Sequence, residues 1–174
     1  MPSQPAGLWV FPGAGGDRDT DLWIESQGED RYRRGLYTFV RRSIRYPSLT
    51  VFDAPSHETT MSRRPRSNTP LQALTALNDP AFFEAAQAMA RRIVKEGGAD
   101  TSSRITYGFR LVTSRRPNKV ESNALVSAFE KERQFFQAHQ AAALTLAGRP
   151  DIDLAAWTML SIALLNLDGT ITKE

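Results

Sequence analysis

The stretch "SRRPRSNTPLQALTALNDP", Ser62 to Pro80, gathers groups suited to recognition chemistry: Arg63, Arg64, Arg66, Asn68, Thr69, Gln72, Asn78 and Asp79. A guanidinium is a planar fork of donors that matches a carboxylate or phosphate in bidentate fashion, while side-chain amides both donate and accept. Arginines set ahead of a helix N-terminus, with its outward N–H groups and positive dipole end, make a receptor for an anion. The same groups also serve a purely structural purpose. The backbone polar groups of a long irregular segment must find partners, and arginine forks and amides supply them. Asp53 and Glu58, in "FDAPSHE" just upstream, add two carboxylates and complete the set of candidate ligand-binding or docking residues. No residue is singled out as catalytic.

Other constellations carry less. Asp53, His57 and Glu58 lie within six residues and have metal-ligating side chains. A rigid site, however, draws three or more ligands from separate elements and orients them with further partners, whereas this segment is a proline-broken loop. No metal site is expected. Ser56, His57 and Asp53 are too close in sequence to adopt triad geometry, and there is no G-x-S-x-G elbow. "GAGG" at Gly13 to Gly16 lacks the G-K-[ST] ending of a phosphate loop and reads as a turn. His139, in "FFQAHQAAA", reads as a surface or packing residue. The absence of cysteine excludes disulfides, thiolate metal sites, a cysteine nucleophile and C-x-x-C-H haem attachment within this chain.

These groups need elements to hold them. From Asp30, "DRYRRGLYTFVRRSIRY" places Tyr32, Leu36, Phe39, Val40 and Ile44 at helical spacing, and Pro47 closes that pattern. "LTVF" at residues 49–52 reads as a short strand or extended chain. Thr69 to Leu77 returns to helical spacing, with Leu71, Leu74 and Leu77 on one stripe, Thr69 as N-cap and Pro70 at the first helical position. Asp79 and Pro80 repeat that device for a helix ended by Gly97, with Lys95 in its last turn. A further helix over Ser102 to Ser114 carries Ile105, Phe109 and Val112. Asn118 and Glu121 form a capping-box pattern opening one long helix to about Gly148, with Val120, Leu125, Phe129, Glu132 and Phe136 along a mixed face. The last helix starts at Asp151 or Asp153, runs to about Leu167 and is apolar nearly all round, which makes it the expected central element. The fold class is therefore all-α: about six helices packed around a buried C-terminal helix, with a long polar irregular loop. Residues 1–28, with five glycines and three prolines, read as an irregular N-terminal segment, and 29–174 as one helical domain.

The totals agree. A chain of 174 residues removes roughly 70% of its unfolded surface from water on folding, enough for a real core. Its 41% hydrophobic and 24% charged content is that of a globular domain. No apolar run reaches the roughly 18 residues of a membrane span, and the N-terminus lacks a basic start and apolar h-region, so no membrane span and no secretory signal are expected. The net charge of +3 conceals an uneven distribution: nine arginines against Asp53 and Glu58 between Arg31 and Arg66 leave +7 there. Aromatic residues interleave with those arginines, as in nucleic-acid binders, but several fall on the expected core face and no binding motif accompanies them. Nucleic acid is not the favoured partner.

The blocks "YRRGLYTF", "FDAPSHE", "RRPRSNTPLQALTALNDP", "RLVTSRRP" and "LLNLDGTITKE", in this order, closely resemble the planctomycete PSD domain family, domain of unknown function 1553. The likeness runs over about Gly28 to Glu174. It implies the C-terminal portion of a large exported protein, periplasmic or at the cell surface, following a companion domain of unknown function and often a cytochrome c domain. Haem is then expected only on an absent domain or a partner, with no cofactor in this chain. His57 stands where relatives commonly have arginine, and Thr60 where many have cysteine, so any role of that thiol does not carry over. The reading that results is an uncharacterised helical module of a redox-associated protein that docks onto its companion through the Arg/Asn-rich loop. Two alternatives stay open: part of an enzyme or of an anion- or carbohydrate-binding site completed by an upstream domain, and nucleic-acid binding.

Overall fold

The computed structural model describes residues 26–38 and 45–172. The chain separates into two compact units, Met1–Ser67 and Asn68–Glu174. Among the described residues every regular element is helical, as the sequence predicts.

In the first unit, Gly28–Tyr32 and Gly35–Tyr37 are short 3-10 turns, with Arg33 and Arg34 extended between them. The single helix expected from Asp30 does not form in this part. Tyr32 is 66% and Leu36 82% exposed, so neither sits on a core face. Phe39, Val40 and Ile44 lie outside the described residues. The physical reasons are local: glycine at 35 costs about 1 kcal/mol in a helix interior, and like charges three or four apart, such as Arg31 with Arg34, weaken it further. "LTVF" is not extended either. Pro47–Val51 is a helical turn (α1) with proline at its first position, closed by the Phe52 N–H donating to the Ser48 carbonyl. Pro47 thus starts an element as well as interrupting one.

The second unit holds the core. Helix α2 (Pro70–Asn78) and α3 (Pro80–Glu96) abut through Asp79, which ends one and caps the other. Helix α4 (Thr101–Thr113) starts on the Asp100 carboxylate, which accepts from the Ser103 N–H at 2.9 Å, and ends with Ser114 left-handed at φ 63°. The expected long helix is two: α5 (Lys119–Ala138) and α6 (Gln140–Ala147) break at His139, whose φ of −127° and ψ of 62° leave the helical region. His139 stacks on Phe135, ring centroids 4.3 Å apart, and remains exposed. Helix α7 (Ile152–Leu165) begins at the Asp151 cap and buries Leu154, Ala155, Ala156, Trp157, Leu160 and Leu164 against α3, α5 and α6. Trp157 is 1% exposed and meets the Phe129 ring at 4.3 Å. Its buried hydroxyls are satisfied within the helix, Thr158 donating to the Leu154 carbonyl at 2.8 Å and Ser161 to that of Trp157 at 2.7 Å. A final turn, α8 (Asp168–Ile171), follows.

The leucine stripe of α2 faces outward. Leu71, Leu74 and Leu77 are 58%, 55% and 48% exposed, while Gln72 and Ala76 turn inward. Gln72 tolerates burial because its Oε1 accepts the Thr69 N–H at 2.9 Å and its own N–H donates to Thr69 Oγ1 at 3.3 Å. The pair closes a capping box, and a buried amide so used escapes most of the cost of leaving water.

Candidate functional site

The candidate residues fall on both units. Asp53, Glu58, Arg63, Arg64 and Arg66 belong to the first, and Asn68, Thr69, Gln72, Asn78 and Asp79 to the second.

In the first unit the chain after α1 turns sharply. Asp53 at φ 57° and His57 at φ 59° both occupy the left-handed region, which non-glycine residues seldom adopt unless neighbours hold them there. The holding contacts run from the arginine loop. Arg64 donates through Nη2 to the Phe52 carbonyl at 2.8 Å and through Nε to the Asp53 carbonyl at 3.0 Å. The Asp53 carboxylate accepts both the N–H and the hydroxyl of Ser67, at 2.8 and 2.7 Å. Residues 62–67 are thereby fastened at their middle and end to one two-residue stretch. Glu58 pairs with Arg45 at 3.0 Å. Arg63 and Arg66 behave differently: both are exposed, and among the described residues neither makes a hydrogen bond or ion pair. The three arginines that look alike in sequence therefore divide into one structural and two outward-facing groups.

In the second unit the candidates serve helix ends. Thr69 and Gln72 cap α2, Asn78 donates to the Leu74 carbonyl of its own helix at 2.8 Å, and Asp79 accepts the Ala81 N–H at 2.8 Å. Asn68 reaches across the sequence to Asp168 Oδ1 at 2.7 Å. Nothing at the residue level marks that pairing, since the partners stand 100 positions apart.

Among the described residues no group of three histidines or carboxylates is placed to hold a metal ion. A cleft the sequence did not suggest, about 510 Å³, lies where α5 faces the start of α7 and is lined by Arg133, Gln137, Arg149, Asp151 and Asp153 among others. Its charges are paired within it, Arg133 with Asp153 at 2.8 Å and Arg149 with Asp151 at 2.7 Å, so it presents no uncompensated charge of either sign from these groups. Elsewhere the strongest perturbation is at the α4–α5 junction. Arg115 forks onto both oxygens of Glu121 at 2.6 and 2.8 Å, the Asn118 N–H donates to the same carboxylate, and these bonds hold Glu121 down to about 2. This is a helix-capping device built from "RRPNKVE".

The class that these features define is an all-helical domain with an arginine-bearing loop. The chain belongs to the family described as "Protein of unknown function (DUF1553)", whose family model matches residues 1–129, from the N-terminus through the arginine loop and α2–α4 into α5. Neither a curated protein nor a solved structure matches the chain. Among the described residues no helix is long and apolar enough to cross a membrane.

Proposed function

We propose that this chain is a helical docking module whose loop, residues 62–67, engages a companion domain of the kind that precedes it in the longer proteins its sequence resembles. The observation that supports this reading is the unequal use of three neighbouring arginines: Arg64 is spent on the Phe52 and Asp53 carbonyls, while Arg63 and Arg66 stand exposed and, among the described residues, without partners. A guanidinium with no internal partner on a braced loop is poised for a partner from outside. On the same reading the chain works in an exported, redox-associated protein, and haem belongs to another domain. The catalytic alternative has less behind it, because Asp53 and Glu58 are already engaged by Ser67 and Arg45 and would have to be released before moving protons.

The test is association of the chain with the separately expressed companion domain. Wild type should co-elute with it, and the Arg63→Ala/Arg66→Ala double variant should not. Co-elution of the double variant indistinguishable from wild type would overturn the docking reading.

A further inference from the structure

Resting on that docking reading, we infer that Arg63 and Arg66 form a two-pronged receptor for an acidic protein segment, recognising carboxylates rather than phosphate. Three observations lead there. First, the loop is pre-set: Arg64 and Ser67 tie it to residues 52–53, and Pro65, between the two free arginines, has its φ fixed by the ring. A loop ordered beforehand loses little freedom on binding. Second, the two prongs are uncompensated. Among the described residues neither arginine makes an ion pair: Glu58 is paired with Arg45, and the Asp53 carboxylate, held by the Ser67 N–H and hydroxyl, meets neither Arg63 nor Arg66. Third, the surroundings suit a peptide better than a free anion. Phosphate sites typically add converging backbone N–H groups, and Pro65 has none to offer. Met61, 44% exposed, and exposed Pro65 instead stand beside the arginines in the chain and add apolar surface, which fits a segment alternating acidic and apolar side chains. Arginine's rigid fork matches each carboxylate bidentately. Arg64 is a positioning residue, acting through the loop.

The experiment uses the full chain and a labelled peptide of alternating glutamate and leucine, with its glutamine counterpart, inorganic phosphate and heparin as comparisons. Binding is followed by fluorescence anisotropy at low and high salt. The glutamate peptide should bind, weakening as salt screens the charges. The glutamine peptide should not. Arg63→Ala and Arg66→Ala should each weaken binding about tenfold, the lower end of what a hydrogen bond to a charged group contributes, with thermal melts unchanged because among the described residues neither side chain has a partner. Arg64→Ala should also weaken binding and, unlike the other two, speed tryptic cutting after Arg66. Equal binding of the glutamine peptide, tighter capture of phosphate or heparin, or unaltered binding by the two exposed-arginine variants would each overturn the inference. Unaltered tryptic cutting in Arg64→Ala would remove the pre-set loop on which it rests. Failure here is separable from failure of docking. If the companion domain is lost from the double variant while the glutamate peptide never binds, docking stands and the carboxylate chemistry falls. If the companion domain is retained, the docking reading falls.

Discussion

At the scale of single residues, what a charged group does depends on how many of its bonds are made inside the fold. Glu121 has nearly all of them. The bidentate Arg115 fork and, secondarily, the Asn118 N–H favour its charged form and lower it from an ordinary 4.5 to about 2. A group whose folded value is depressed stabilises the fold fully above its unfolded value and gives up that contribution as pH falls through the folded one. Glu121 therefore contributes its whole share above about pH 4.5 and loses it progressively toward pH 2. Glu121→Gln keeps the shape but cannot accept the fork as an anion. Its melting temperature should lie below wild type at neutral pH, and the gap should close between pH 4.5 and 2, as read by thermal melts across that range. A constant gap across that range would show that the carboxylate charge is not what holds the α4–α5 junction. Arg63 and Arg66 are the opposite case: among the described residues neither has a bond inside the fold to lose.

At the scale of elements, the positions of helix ends follow local rules and the faces of helices follow neighbours. Thr69 with Pro70, Asp79 with Pro80 and Asn118 with Glu121 cap where their types and spacing say they should, and of Asp151 and Asp153 it is Asp151 that caps, because a cap is settled within four residues. The all-apolar run of α7 is equally legible, since a helix apolar on every side has nowhere to go but inside. The break at His139 is not. Good helix formers flank it on both sides, and no cap or proline in the sequence marks the place where α5 ends and α6 begins. The leucines of α2 show the same limit: their spacing says that they share a face and leaves open which face is buried, and it is Gln72 and Ala76 that turn inward. At the candidate site the residue types were readable, but nothing in "RRPR" tells which arginine the Phe52 and Asp53 carbonyls will take. Close approach between elements is likewise a tertiary fact. Gly108 of α4 is buried, and a Cβ there would lie 2.7 Å from Ile93 Cδ1 and 3.4 Å from Leu164 Cδ1, so α3, α4 and α7 converge on a missing side chain. Gly108→Val should destabilise by about 1–3 kcal/mol through overpacking, the gain in helix propensity offsetting part of that. The expected observation is a melting temperature several degrees lower; an unchanged or raised one would mean that the crossing is looser than these distances imply.

At the scale of the molecule, charge and core are allotted to different stretches of chain. The +7 surplus between Arg31 and Arg66 lies wholly in the unit that ends at Ser67, whereas the buried cluster from Ala90 and Ile93 through Trp157 to Leu164 lies wholly in the unit that begins at Asn68. A stretch rich in like charges stores repulsion, and none of its residues belongs to the buried cluster. The arrangement leads to a last prediction. The fragment beginning at Asn68 carries the α2 cap, every residue of the hydrophobic cluster and the Asn68–Asp168 bond, and it is long enough to fold alone. It should be helical and melt cooperatively. Of the chain's three tryptophans only Trp157 remains in it, 1% exposed against Phe129, so its fluorescence reports the core alone. Unfolding followed by that fluorescence and by far-UV circular dichroism should share one midpoint, because a single cluster joining α3, α4, α5, α6 and α7 leaves no helix of the core free to melt by itself. Midpoints that separate would show that the cluster does not melt as one, and a fragment with no transition at all would show that the core depends on residues before Asn68.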